Sequence, residues 1–156
     1  FIKLKMNSLS DLKMIDKLYE ASNAGVKIQL IIRGICCLIP GLKGKSENIE
    51  AISLVDNYLE HARLYIFGNN NNPLVYISSA DFMTRNLDAR VEITCPIYDE
   101  SIKTELIETF EIGWKANVKA RIHSDKLDNQ YKDRGINTEF RAQKEMYNYY
   151  LSKIES

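Results

Sequence analysis

The sequence lacks any apolar run long enough to cross a membrane. A spanning helix requires ~20 consecutive apolar residues, and the longest apolar stretch here, residues 26–39, is interrupted by Arg33 and Gly34. The first residues, Phe-Ile-Lys-Leu-Lys-Met, also lack the apolar segment and cleavage site of a signal peptide, and they do not begin with an initiator methionine. We therefore expect a cytoplasmic protein without a membrane span and, because it starts so abruptly, an excised fragment.

Cysteine is scarce as well. Cys36, Cys37 and Cys95 are odd in number and are not arranged as the separated pairs that close a tetrahedral zinc site. They are expected to be reduced, buried thiols of a cytoplasmic protein. No residue is predicted to bind a metal.

An excess of charge of either sign is also missing. Lys and Arg together number 21, and so do Asp and Glu. The overall field therefore attracts neither nucleic acid nor anionic lipid, and any polyanion must be held by a local cluster. A length of 156 residues, 45% apolar and 27% charged, is typical of a globular protein. We expect a single domain spanning residues 1–156.

The first half of the chain is predicted to contain two helices and a buried strand. Residues 8–23 have an apolar face at helical spacing, and Ser8 and Asp11 are placed as a capping box. Residues 26–32 begin by alternating and end continuously apolar, which is typical of a central strand buried on both faces. After a loop that contains proline and glycine, Ser46 is predicted to cap a second helix. Its apolar face would comprise Ile49, Ile52, Val55 and Leu59.

The second half is predicted to contain an antiparallel hairpin and two more helices. The strand candidates are residues 64–67 and 74–78 in the hairpin, then 90–97 and 119–123. Asp99 is predicted to begin a helix that places Ile102, Leu106, Phe110 and Trp114 on one face. Residues 127–137 are predicted to form a polar surface loop. The last helix is predicted to have an apolar stripe of Phe140, Tyr147, Tyr150, Leu151 and Ile154. This alternation predicts an α/β fold with a mixed sheet flanked by helices.

Arg33 directly follows the predicted buried strand. In open α/β sheets, ligands collect at the carboxyl ends of strands, and a guanidinium group there can hold phosphate oxygens through two parallel hydrogen bonds. An arginine paired with a carboxylate at the sheet edge would occupy the same position in the sequence. Position alone does not separate these two interpretations.

The sequence contains two histidines. His123 lies among Arg121, Ser124 and Asp125 in a polar stretch and is expected to be an ordinary surface residue. His61 lies where the predicted second helix meets the first strand of the hairpin. Imidazole can exchange a proton near neutral pH, although a histidine at such a junction can also be purely structural.

The segment from Ser78 to Arg90 carries more polar groups than a connection between two strands requires. Serine hydroxyls and arginine guanidinium groups are suitable donors to phosphate oxygens. A capped turn in which the aspartates and arginines bond one another would explain the same composition.

Three long segments resemble successive parts of the C-terminal domain of the bacterial polyphosphate kinase family. They are Leu-Ile-Ile-Arg-Gly-Ile-Cys-Cys-Leu-Ile-Pro-Gly (30–41), Tyr-Leu-Glu-His-Ala-Arg-Leu-Tyr-Ile-Phe (58–67) and Ile-Ser-Ser-Ala-Asp-Phe-Met-Thr-Arg-Asn-Leu-Asp-Ala-Arg-Val-Glu (77–92). The resemblance extends from Lys5 to Gln143, which is nearly the whole chain. It implies a phospholipase D-like fold, present twice in the full enzyme, of which this chain supplies most of the second copy.

The resemblance also implies an activity and a set of site residues. The family transfers the γ-phosphate of ATP reversibly to inorganic polyphosphate through a phosphohistidine, with Mg²⁺ assisting. The family's second active-site histidine falls on His61 and an ATP-contacting arginine on Arg33, with Arg63, Ser79 and Arg85 as secondary candidates for phosphate contact. His61-Ala-Arg63 followed by Ser78-Ser79 is similar to the phospholipase D half-motif, but an arginine replaces its lysine and the spacing is longer, so phosphodiesterase activity is not expected.

The phosphate-carrying histidine of the family lies in the preceding domain, and neither histidine of this chain matches its motif. The chain is therefore expected to hold half of an active site, to be inactive in isolation, and to work with the remaining domains of its polypeptide. Mg²⁺ would be held mainly outside this chain. The full-length enzyme is expected to be a homo-oligomer that does not bind nucleic acid, with peripheral contact to the membrane left open. The alternative function is a non-catalytic polyphosphate-binding or oligomer-assembly domain.

Overall fold

The computed structural model describes residues 1–126 and 128–155. Its elements, in chain order, are β1 (Ile2–Met6), α1 (Leu12–Asn23), β2 (Ile28–Ile32), β3 (Ile49–Leu54), β4 (Leu64–Phe67), a short 3-10 helix (Asn69–Asn71), β5 (Leu74–Ser78), α2 (Thr84–Asp88), β6 (Thr94–Ile97), α3 (Glu100–Lys115), β7 (Ala120–Ile122) and α4 (Ala142–Glu155). Among these residues, no helix combines the length and hydropathy needed to cross a bilayer.

The strands form one sheet in the order β6-β5-β4-β1-β2-β3-β7. β1, β2 and β3 are parallel to one another. β4 pairs antiparallel with β1 and with β5, which confirms the predicted hairpin, and β6 and β7 pair antiparallel at the two edges. The mixed α/β sheet predicted from the sequence is confirmed.

The core consists of one apolar layer on each face of the sheet. Alternate residues of β2 point to opposite faces, so Leu30 and Ile32 pack with α1 while Ile31 packs with Phe110 of α3. The continuous apolar run at the end of β2 is thus explained by burial on both faces, as expected for a central strand.

The second predicted helix is wrong, because residues 49–54 form strand β3. Ile49, Ala51, Ile52 and Leu54 are all buried, and a strand between β2 and β7 must be apolar on both faces, whereas a helix would bury only one stripe. Ser46 does not cap a helix. Its hydroxyl accepts a hydrogen bond from the Leu42 amide at 2.9 Å and donates one to the Ile39 carbonyl at 2.8 Å, which closes a turn before the strand.

Helix α1 starts later than predicted. Asp11 is its N-cap and accepts a hydrogen bond from the Met14 amide at 3.0 Å. Ser8 lies before this N-cap and outside the helix, and its amide donates to the carboxylate of Asp81 at 3.2 Å. The adjacent Leu9 is fully buried and bridges to Cys36 and Phe82. Strand β1 before it was not predicted.

Helix α2 was not predicted either, and the remaining elements differ mainly in extent. The strand predicted at 90–97 is limited to β6, and α3 begins after the N-cap Asp99. The strand predicted at 119–123 is the shorter β7, which lies at the sheet edge. Leu127, at the start of the predicted loop, lies outside the described residues.

The cysteines are free, but only Cys36 is half-buried, and its burial raises the pKa of its thiol to about 11. Cys37 and Cys95 are exposed, so the expectation of buried thiols is wrong for both.

The apolar stripe of α4 lies mostly at the surface. Tyr147 is 66% and Ile154 is 82% exposed, and Tyr150 and Leu151 are also exposed. The helix is nevertheless attached to α3: Lys153 forms an ion pair with Glu105 at 2.8 Å.

Candidate functional site

One end of the sheet gathers the polar residues that the sequence singles out. The carboxyl ends of β1, β2, β3 and β5 lie at this end, and so do the amino ends of the antiparallel strands β4, β6 and β7. Asn7 follows β1, Arg33 follows β2, Arg63 precedes β4, and Asp81 comes shortly after β5. We refer to this region as the functional end of the sheet.

Arg33 is held at this end by its backbone and by one side-chain nitrogen. Its amide donates to the Met6 carbonyl at 3.2 Å, and its own carbonyl accepts from the Ser53 hydroxyl at 3.2 Å. Its Nε donates to Oδ1 of Asn7 at 3.0 Å. Within the described part of the chain, Arg33 has no carboxylate partner, and its two terminal nitrogens make no hydrogen bond. The guanidinium group is therefore oriented but not neutralised.

Asp81 is a buried carboxylate that organises the functional end. It is 5% exposed. Its Oδ1 accepts hydrogen bonds from the amides of Asn7 at 2.8 Å and Ser8 at 3.2 Å, and from Nε of Arg63 at 3.2 Å. Its Oδ2 accepts from the NH2 nitrogen of Arg63 at 3.1 Å. Burial alone would raise the pKa of Asp81, but these donors outweigh it and hold the pKa below its usual range, so the group is a carboxylate at neutral pH.

Each nitrogen of the Arg63 guanidinium group donates a hydrogen bond within the protein. Two of its nitrogens bond Asp81, and its NH1 nitrogen donates to the backbone carbonyl of His61 at 3.3 Å. The pair is largely removed from solvent. These contacts favour a positioning role for Arg63 over the phosphate contact predicted from the sequence.

His61 lies in the exposed segment that connects β3 to β4. No side-chain hydrogen bond joins its imidazole to any of the described residues. It borders a cavity of about 510 Å³ between this segment and helices α3 and α4, whose lining includes Tyr58, Tyr147 and Tyr150. Because β2 and β4 lie on either side of β1, the strands that carry Arg33 and His61 are about 10 Å apart.

Ser79 and Arg85, the other secondary candidates, lie on the connection between β5 and β6. The Ser79 hydroxyl donates to Glu92 and accepts from the Ile93 amide at 3.0 Å. Arg85 lies exposed on α2. The alternative of a capped turn with internal Asp–Arg bonds is not what the structure has: α2 has no side-chain cap hydrogen bond, and Thr84 donates to the distant Asp11 at 3.0 Å. Asp81 likewise bonds the distant Arg63 and not an arginine of its own segment.

His123 lies apart from this cluster. It follows β7, and its amide donates to the Ala51 carbonyl at 3.0 Å, toward the start of β3. The side chain is half-buried, and this burial lowers the pKa of its imidazole. The expectation of an ordinary surface residue is therefore wrong.

Sequence reasoning missed Asn7 and the role of Asp81. Asn7 follows a strand in the same way as Arg33. Because strand β1 was not predicted, nothing in the sequence placed Asn7 at the end of a strand. Asp81 stood in the polar segment after the hairpin. Its partner Arg63 is eighteen positions earlier, and only the pairing of β4 with β5 brings the two together.

Nothing in the described ranges brings three His, Cys, Asp or Glu side chains together in a way that could hold a metal ion. A Mg²⁺ site made by these residues alone does not fit the structure.

Comparison with known proteins identifies the family. The model of the family described as polyphosphate kinase C-terminal domain 2 matches residues 1–143. The chain belongs to this family. It is 49% identical over 154 residues to a polyphosphate kinase from Vibrio cholerae and 47% identical over 151 residues to one from Escherichia coli K12. These alignments cover 99% and 97% of this chain, but the chain spans only 22% of the length of each relative.

Solved structures agree with the family and define the fold. The crystal structure of polyphosphate kinase from Porphyromonas gingivalis matches 99% of this chain and 24% of its own, with a TM-score of 0.96 and 45% identity. A phospholipase D family member, Nuc from Salmonella typhimurium, matches 80% of this chain and 82% of its own, with a TM-score of 0.60 and 16% identity. At that identity the second likeness concerns the fold alone, and it confirms the phospholipase D-like architecture.

Proposed function

We propose that this chain supplies one half of the active site of a polyphosphate kinase, which transfers the γ-phosphate of ATP reversibly to inorganic polyphosphate. The observation that carries the proposal is the state of Arg33. Its Nε is fixed by Asn7, while no carboxylate of the described residues neutralises it. An oriented guanidinium group with two free nitrogens is suited to hold phosphate oxygens. Because the chain belongs to the polyphosphate kinase family, ATP and polyphosphate are the expected source of these phosphate oxygens.

Phosphoryl transfer depends mainly on positioning and on neutralising the oxygens of the transferred group. In this proposal Arg33 binds phosphate oxygens of ATP. His61 donates a hydrogen bond to the phosphate in transit or exchanges a proton with it, and does not become its covalent carrier. The covalent carrier is a histidine of the preceding domain, so the isolated chain should be inactive. Mg²⁺ bound to the triphosphate would supply further charge neutralisation. The cytoplasmic location and the homo-oligomer likewise remain predictions.

A second function is favoured by a separate observation. Tyr147 and Ile154 on α4 are 66% and 82% exposed, and an apolar helix face of this kind is typical of an interface. The alternative is therefore a non-catalytic domain that binds polyphosphate or assembles the oligomer. It predicts that changes at Arg33 and His61 impair binding or assembly and leave the chemical rate of the assembled enzyme intact.

The experiment that tests the proposal is Arg33→Lys in the full-length enzyme. Lysine keeps the positive charge but loses the anchored, two-pronged geometry. Hydrogen bonds to charged groups contribute about 1.5–3 kcal/mol each, so kcat/KM for ATP should fall about tenfold to a hundredfold. The matched control is Arg134→Lys, because Arg134 pairs with Glu139 in the loop after β7. Unchanged kinetics in Arg33→Lys, or a loss explained by a lower melting temperature, would contradict the assignment.

A further inference from the structure

A single buried carboxylate is connected to both residues of the proposed site. Five hydrogen bonds converge on Asp81, from the Asn7 amide, the Ser8 amide, the Asn7 side chain at 3.4 Å and two nitrogens of Arg63. These donors belong to two segments, one after β1 and the other before β4. Asp81 itself belongs to a third segment, after β5, so it ties three loops together at the functional end of the sheet.

The first connection runs to Arg33 through the side chain of Asn7. Its Nδ2 donates to Asp81, which leaves Oδ1 to accept from Nε of Arg33 at 3.0 Å. The side-chain amide places a donor and an acceptor on two separate atoms, so it can bond Asp81 and Arg33 at the same time. Because Asp81 accepts the hydrogen bond from Nδ2 of Asn7, it fixes the orientation of the Asn7 amide. The amide in turn fixes the orientation of Arg33.

The second connection runs to His61 through Arg63. The fork of Arg63 is held against Asp81 by two hydrogen bonds, and its remaining terminal nitrogen donates to the His61 carbonyl. This contact restrains the backbone of a segment that is otherwise exposed. The ion pair with Asp81 neutralises the charge of Arg63, whereas the charge of Arg33 is not neutralised by a carboxylate of the described residues.

We propose that Asp81 is a positioning residue that holds Arg33 and His61 in a fixed relation to each other. The inference rests on the proposed function, because it assigns a role with respect to those two residues. Asp81 touches neither substrate nor the reacting phosphate. Its action requires a charged carboxylate, since every group that faces it is a donor, and an amide in its place would turn a donor toward one of them.

The test is a double-mutant cycle in the full-length enzyme, with kcat/KM for ATP as the measurement. Asp81→Asn should lower kcat/KM at least tenfold. If Asp81 acts through Arg33, then adding Arg33→Lys should cost much less than the product of the two single losses, because the arginine is already misplaced. The matched control is Glu111→Gln, which removes a carboxylate from its ion pair with Lys3 of β1, away from the functional end. Its effect should multiply with that of Arg33→Lys.

A second variant keeps the inference testable if Asp81→Asn does not fold. Asn7→Ala retains the backbone amide that bonds Asp81 but removes the side-chain connection to Arg33. It should show the same non-additivity with Arg33→Lys. Losses that multiply in both cycles would overturn the inference while leaving the proposed function intact. Normal kinetics in Arg33→Lys alone would overturn the proposed function, and the positioning role with it.

Discussion

At the functional end of the sheet, Asp56 forms a second two-pronged ion pair with an arginine. Arg141, just before α4, donates its Nε to Oδ2 of Asp56 at 2.8 Å and its NH2 nitrogen to Oδ1 at 2.5 Å. These hydrogen bonds outweigh the effect of burial and hold the pKa of Asp56 below its ordinary value of 3.8. The pair attaches the start of α4 to the segment after β3.

This ion pair predicts a pH-dependent contribution to stability. Because the pKa of Asp56 is depressed in the folded state, its contribution is fully present above the unfolded pKa and is lost as the pH falls through the folded pKa. Asp56→Asn should therefore lower the unfolding midpoint at pH 7, and the difference from the parent should shrink toward zero as the pH falls below 3.8. Urea unfolding over a pH series measures it. Asp16→Asn, on the exposed side of α1, should leave the unfolding midpoint at pH 7 close to that of the parent. A pH-independent difference for Asp56→Asn would contradict the expectation.

The sequence indicates single residues well only where their role is local. Arg33 drew attention because it ends a visibly buried strand, and His61 because it is one of two histidines. Position alone left both roles open, and the family resemblance assigned the two residues to the site. Asp81 and Asn7 could not be assigned in this way. Their roles depend on hydrogen bonds to residues far away in the sequence, and these follow from the pairing of β1, β4 and β5.

At the scale of elements, α3 closes one face of the sheet. Phe110 is fully buried, its ring stacks with that of Trp114 at 6.3 Å between centroids, and Gly113 allows Ile31 of β2 to approach closely. A cavity left by an aromatic ring is costly because the surrounding side chains cannot refill it. The attachment of the helix therefore depends strongly on this one side chain.

Phe110→Ala is expected to lower the free energy of unfolding by about 3–5 kcal/mol. Chemical denaturation of the parent and the variant measures the difference. Ile102→Ala is the control on the same helix, because Ile102 is 49% exposed and its loss should cost less than about 1 kcal/mol. Equal effects of the two changes would show that α3 is not anchored through Phe110.

The error at β3 has a physical cause at this same scale. Ile49 and Ile52 recur at helical spacing with Val55 and Leu59, but these last two are exposed in the segment after the strand. Ala51 and Leu54 distinguish the strand from a helix, because they lie off the predicted helical stripe and are nevertheless buried. Their burial reflects a strand that is covered on both faces of the sheet. Over six residues, a central strand and a helix face give similar apolar patterns. The amphipathic helix α3 and the hairpin, each with its own local signal, were predicted.

At the scale of the whole molecule, the chain is a small part of the proteins that it resembles. It spans 22% of the length of its polyphosphate kinase relatives. Arg33 and His61 lie at one end of the sheet, and neither has a carboxylate partner within the described residues. This arrangement supports a site completed by other domains, where the phosphate-carrying histidine of the proposed mechanism would lie.

The central claim is tested most directly by His61→Gln in the full-length enzyme, with the rates of polyphosphate synthesis and of the reverse reaction measured together. Glutamine keeps a neutral donor and acceptor but cannot exchange a proton near neutral pH. Loss of general acid–base catalysis costs ~10²–10⁴ in rate, so both directions should slow by a factor in this range while the protein remains folded. Arg134→Lys, in the loop after β7, should leave both rates unchanged. Normal turnover of His61→Gln in both directions would contradict the account.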